Sequence, residues 1–189
     1  VTACFNRDRS SVALDVVKRQ NENKAATNPE PDSYVTFNYA ENAWSIGSMS
    51  RTVWSDSFGS RTVPFAFDPD GKLYNHETGT SDDGSAMTSF IESSAGEIPN
   101  TGHSLYLVEK VIPDVTMTSD TTLSLFINTR KYPNATEVTK GPFDITNSTT
   151  KVSTRAKGRQ MSLKLQSSGT LDDWSLGTFR INAREDGLR

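Results

Sequence analysis

The sequence predicts an all-β protein of antiparallel sheets with no long helix, and three observations carry that prediction. Short runs rich in Val, Ile, Thr, Tyr, Phe and Trp recur along the chain, each bounded by Gly, Pro, Asn, Asp or Ser, the pattern of strands separated by turns. The hydrophobic fraction of the 189 residues is 34%, below the ~45–50% of an average domain, which suits thin sheets with one solvated face. Finally, Trp44-Ser45-Ile46-Gly47 recurs as Trp174-Ser175-Leu176-Gly177, 130 residues later, each time after an acidic or amide-bearing turn. That spacing is close to three periods of roughly 43 residues, and four-stranded propeller blades run about 40–45 residues each. The phrase is short and has no clear intermediate copies, so coincidence is the competing reading. Taken with the strand content, it predicts part of a β-propeller that includes C-terminal blades.

The elements follow in order. Residues 10–20 are a strand or a short helix, with β-branched content favouring the strand. The polar stretch 21–32, ending Pro29-Glu30-Pro31-Asp32, reads as an exposed loop. Residues 1–32 thus form an uncertain strand and loop ahead of a single all-β domain over 33–189. Tyr34 to Tyr39 is a strand of aromatic and β-branched residues, and Ala40-Glu41-Asn42 turns the chain into Ala43 to Gly47, making a hairpin. Arg51 to Asp56 and Arg61 to Phe67 follow, and Asp68-Pro69-Asp70-Gly71 joins the latter to Lys72–Glu77; Asp-Gly between apolar alternations is a strong hairpin signal. Strands are expected again at 86–93, 104–112, 121–129, 160–166 and 175–183.

Charge and cysteine usage exclude several classes. The net charge of −3 argues against a general nucleic-acid binder, but it is uneven: residues 151–189 carry eight Lys/Arg against four Asp/Glu, a net of +4 that leaves −7 for the rest. Such a basic end binds phosphates or docks on an acidic neighbour; without interleaved aromatic residues the neighbour is favoured. Cys4 is the only cysteine, so neither an intrachain disulfide nor a thiolate metal cluster can form. No apolar stretch approaches the ~18 residues of a membrane helix. The chain begins Val1-Thr2-Ala3-Cys4, which leads us to expect a piece of a longer protein.

Candidate chemistry is sparse. His76-Glu77, with Asp68, Asp70, Asp82 and Asp83, is the densest polar cluster, but Asp68-Pro69-Asp70-Gly71 shares only the opening of a calcium loop. An acidic turn capping a hairpin is the simpler reading. His103 reads as ordinary surface, and Cys4 has no histidine near it in sequence. No Gly-x-Ser-x-Gly elbow occurs, and Gly141-Pro142 and Gly158-Arg159-Gln160 lack the context of a phosphate loop. The sequons at Asn134 and Asn147 carry no weight in a chain this rich in Asn, Ser and Thr. No catalytic residue, cofactor site or metal site is therefore assigned.

Several phrases in succession carry a resemblance. Tyr39 to Gly47, Arg51-Thr52-Val53-Trp54 and Leu73 to Gly79 are followed by Val111-Ile112-Pro113-Asp114, Lys157 to Met161 and Trp174 to Arg180. This order resembles the C-terminal part of the tail-hub, or packaged-DNA stabilisation, proteins of short-tailed bacteriophages and their propeller-bearing nozzle and neck relatives. It covers most of the chain from about Ser33, whereas residues 11–33 depart from the expected blade phrase. The resemblance implies a structural virion protein with no enzymatic activity. It would form a homo-oligomeric ring below the portal and its adaptor, pass genomic DNA, retain it after packaging and anchor fibres, spikes or a needle. Under it, Trp44, Trp54 and Trp174 are expected to pack between sheets as structural anchors. Gly47 and Gly177 are expected where a strand bends or a backbone comes close. Arg159 and Arg180 would pair with acidic turns or with the next subunit. The competing function, from a different class, is a carbohydrate-binding or glycan-cleaving propeller using an aromatic platform such as Trp54, Phe58 and Phe65 near the acidic turns.

Overall fold

The computed structural model describes residues 2–5, 11–15, 33–40, 42–97, 104–118 and 120–188. Every regular element among them is a β-strand, and every strand pairing is antiparallel. The all-β prediction therefore holds, while the described sheets do not close into a ring of blades. The chain divides into two compact units, Val1–Gly79 and Thr80–Arg189. The division falls at Gly79, and Thr2–Phe5 and Ser11–Asp15, which lie before the 32/33 boundary read from the sequence, pair into the same sheet as Ser33–Asn38.

The first unit holds two meanders. β1 (Thr2–Phe5), β2 (Ser11–Asp15), β3 (Ser33–Asn38) and β4 (Ala43–Ser48) lie side by side in chain order. Of the expected strand at 10–20, Ser11–Asp15 is observed; its remainder and the loop 21–32 lie outside the described residues. β5 (Val53–Ser55), β6 (Phe65–Phe67) and β7 (Leu73–Asn75) form the second meander. Its tight turn is set by Asp68, whose Oδ1 accepts the Lys72 amide at 2.7 Å and whose carbonyl accepts that of Gly71 at 3.1 Å. Gly71 takes φ +83° there, which is why Asp-Gly closes the hairpin.

The second unit is built from β8 (Ser89–Glu92), β9 (Gly96–Glu97), β10 (Ser104–Ile112), β11 (Val115–Met117), β12 (Leu123–Arg130), β13 (Val138–Ile145), β14 (Val152–Gly158), β15 (Gln160–Ser167), β16 (Trp174–Leu176) and β17 (Arg180–Leu188). One sheet runs β13-β12-β15-β8, with β9 also on β15; another runs β14-β10-β17; β11 and β16 pair as a two-stranded ribbon. Alternation in β12 buries Leu123, Leu125 and Ile127, which meet Leu163 and Leu165 of β15 and Val108, Val111, Val152 and Ala156 of the three-stranded sheet in one core. Both larger sheets thus donate alternate residues to a shared interior, the packing of a β-sandwich.

Several elements differ from the sequence expectation. β1, β9, β11, β13 and β14 are additional strands. β13 contains Gly141-Pro142, which reads as a break, but it is the edge strand of its sheet, where a missing amide is tolerated. The expected strand 175–183 is split at Gly177–Phe179 between two partners: Trp174–Leu176 pairs with β11, a ladder that the Gly177 amide continues to the Asp114 carbonyl at 2.7 Å, and Arg180–Leu188 pairs with β10.

Candidate functional site

The four-stranded meander segregates its residues by register. Phe5, Val12, Phe37 and Trp44 align in one row across the sheet, and Ala3, Leu14, Val35 and Ile46 align two positions along. Positions two apart share a face, so Val35 and Phe37 of β3 and Trp44 and Ile46 of β4 lie on one side of the sheet. Trp44 and Ile46 are 64% and 75% exposed, and Trp44 meets Phe37 with ring centroids 4.5 Å apart. Trp44, expected to pack between sheets, lies on the terminal strand of its sheet with its indole against the Phe37 ring and largely exposed. Gly47 sits in the opposite row beside Tyr34, whose ring occupies the space a Cβ there would need, so the glycine permits close approach.

The three-stranded meander gathers the aromatic and cationic groups that the sequence left scattered. Trp54 stacks on His76 at 4.4 Å, Arg51 lies 4.2 Å over the Tyr74 ring, and the Arg51 Nε donates to His76 Nε2 at 3.2 Å. An acceptor Nε2 places the neutral imidazole's proton on Nδ1. His76 thus belongs to a packed stack over Ala66, which is fully buried. The aromatic platform is not assembled. Trp54 is opposite Ala66 while Phe65 is opposite Ser55 one position along, so the two occupy different faces. Phe58 is 80% exposed and Phe65 is capped by Arg61 at 5.0 Å. Asp82 and Asp83 belong to the second unit, in a turn closed by reciprocal hydrogen bonds between Asp82 and Ser85. No group of three or more His, Cys, Asp and Glu among the described residues could hold a metal ion. His103 lies outside the described residues, and no helix among them is long and apolar enough to cross a membrane.

In the second unit Trp174 packs half-buried against the core, and its Nε1 donates to Ser89 Oγ at 3.0 Å. Ser89 in turn hydrogen-bonds the buried Ser167 hydroxyl at 2.8 Å. The two Trp-Ser-x-Gly phrases therefore occupy unlike places, one in a four-stranded meander and one in the β11–β16 ribbon. A Cβ on Gly177 would lie 2.7 Å from Asp114 Oδ2. Arg159 follows Gly158 at the β14–β15 turn; its amide donates to the Arg130 carbonyl at 2.8 Å, and its buried Nε has no hydrogen-bond partner. Arg180 is exposed at the start of β17, opposite Ile112. Neither arginine makes an ion pair among the described residues, which separates them from Arg130, Lys157 and Arg184, paired to Glu137, Asp186 and Glu109 at 2.6, 2.8 and 2.8 Å. The hydrogen bond and charge of Lys157, with Arg184 nearby, hold the Asp186 carboxyl below its ordinary 3.8.

An apolar recess of about 380 Å³ opens between the two larger sheets, lined chiefly by Ile91, Met161, Leu163, Leu176, Phe179 and Ile181. Sequence reading missed it because its residues come from strands of different sheets, β8 and β15 on one side and β16 and β17 on the other. No family model and no curated protein matches this chain.

Proposed function

We propose that this chain is a structural virion protein of a bacteriophage tail or neck, a hub or nozzle component that contains part of a β-propeller. In that role it extends the DNA channel below the portal and adaptor, retains the packaged genome, and offers fibres or spikes a place to attach. The observation that carries the reading is the register of β1–β4. A four-stranded antiparallel meander in chain order is the form of a propeller blade, and in this one Val35 and Phe37 of β3 stand opposite the exposed Ile46 and Trp44 of β4. Exposed apolar residues grouped on one sheet face suit covering by another sheet. The neighbouring meander supports the same reading, with Val53, Phe67 and Leu73 in one exposed row. The ordered phrases from Tyr39 to Arg180 add the family resemblance.

The test is location. Antibodies against the chain, applied to purified tailed particles that encode it, are expected to label the tail below the portal vertex in electron micrographs. Particles without the chain, or carrying it only in the capsid shell, refute the proposal.

A further inference from the structure

The outer face of the β14-β10-β17 sheet is strongly basic. Alternation puts Arg155 and Lys157 of β14 on the side away from the core, with Lys110 of β10 and with Arg180 and Arg184 of β17. Two carboxylates share that face: Glu109, paired to Arg184, and Asp186, paired to Lys157. Five cations against two anions leave the face with Lys110, Arg155 and Arg180 exposed and without an ion pair among the described residues. The same unit carries the opposite charge elsewhere. Segments 80–85 and 168–173 are joined by the Thr80 hydroxyl on the Thr170 carbonyl at 3.4 Å, and Thr118 donates its amide to the Asp173 carbonyl at 3.1 Å. These loops bring Asp82, Asp83, Asp120, Asp172 and Asp173 to one end of the unit without a Lys or Arg in any of them. None of the five makes an ion pair among the described residues.

We infer that the basic sheet face docks on the acidic loop end of a second copy of this chain. Both surfaces stay uncompensated within one molecule, and each is the other's complement. Face-to-face pairing of two basic sheets is repulsive, so the contact is heterologous, the kind that propagates head to tail and closes into a ring when the rotation permits. The unit's total charge is close to balanced, with twelve Lys/Arg against thirteen Asp/Glu in residues 80–189. It is therefore the separation of the charges, not an excess of one sign, that drives association. The inference deepens the reading of the chain as a ring component and rests on it for the ring.

Sedimentation velocity on the 189-residue chain tests it. At 50 mM salt the chain is expected to self-associate, and raising the salt to 500 mM is expected to weaken that association by at least about tenfold, as screening predicts for charged contacts. R155E/R180E and, separately, D82K/D173K are each expected to remain monomeric at 50 mM salt while keeping the wild-type circular dichroism spectrum and melting temperature. Mixing the two variants, or combining all four changes in one chain, restores complementarity and is expected to restore association. A chain that is monomeric at 50 mM salt overturns the inference, as does an oligomer indifferent to salt and to both reversals. So does loss of duplex-DNA binding in R155E/R180E with self-association intact, which would make the face a phosphate-binding surface. Tail labelling of particles with charge-independent association sinks this inference alone; charge-dependent association without labelling sinks the virion reading alone.

Discussion

Replacing Trp174 with alanine removes the largest side chain that closes the second unit's interior. The indole is half-buried against the core and donates its Nε1 to Ser89, which is itself tied to the buried Ser167 hydroxyl. A fully buried Trp-to-Ala change costs about 3–5 kcal/mol, and half-burial brings that to about 2 kcal/mol. Losing the hydrogen bond adds about 1 kcal/mol, so W174A is expected to destabilise the unit by about 3 kcal/mol. For a unit of this size that corresponds to a fall of roughly 10–15 °C in melting temperature. W174F keeps most of the apolar contact and loses the indole donor, so its expected cost is only about 1 kcal/mol. Urea denaturation followed by circular dichroism measures both. The other two tryptophans, Trp44 and Trp54, lie in the first unit, so the fluorescence of a W44F/W54F chain reports the second unit's transition through Trp174. A W174A cost below about 1 kcal/mol, or equal costs for the two variants, would refute the assignment of Trp174 as a packed and hydrogen-bonded anchor.

Other substitutions separate places where space is absent from places where it is free. G141A is expected to destabilise by about 2–3 kcal/mol in the same assay, because Gly141 sits at φ +123° with the Leu125 carbonyl 2.6 Å from where a Cβ would go. W44A is expected to change stability by less than about 0.5 kcal/mol and to lower aggregation measured by light scattering, since the side chain is 64% exposed. Asp186 titrates below its ordinary value when folded because Lys157 and then Arg184 favour its charged form. Its contribution is therefore present above pH 3.8 and lost as pH falls through the lowered folded value. D186N is accordingly expected to melt more nearly like wild type at the acid end of a pH series than at pH 7.

What could be read from the residues depended on where each signal was written. The hairpins at Tyr34–Gly47 and Phe65–Asn75 were legible because alternation and turn chemistry, Asn42 at φ +52° and Gly71 at φ +83°, are local. β14 was hidden because two of its inward positions, Ala156 and Gly158, are small and two of its outward ones are Arg155 and Lys157. A Cβ on Gly158 would meet Thr129 Cβ at 2.8 Å and the Arg130 carbonyl at 3.0 Å, so that strand is specified by fit against a neighbour and not by propensity. The basic C-terminal third was visible as composition, but its concentration on one sheet face needed the register of β10, whose bulge after Val108 brings Lys110 beside Ser153 and Asn182. The repeat of Trp-Ser-x-Gly was legible, but the place of each copy was not, since like local chemistry serves an exposed row at Trp44 and a packed ribbon at Trp174.

The most direct test of the account is the mass of the native chain in solution, measured by light scattering with and without a portal–adaptor complex from particles that encode it. The account predicts a closed ring, or a monomer that assembles when the adaptor is added. A stable monomer indifferent to the adaptor would contradict it.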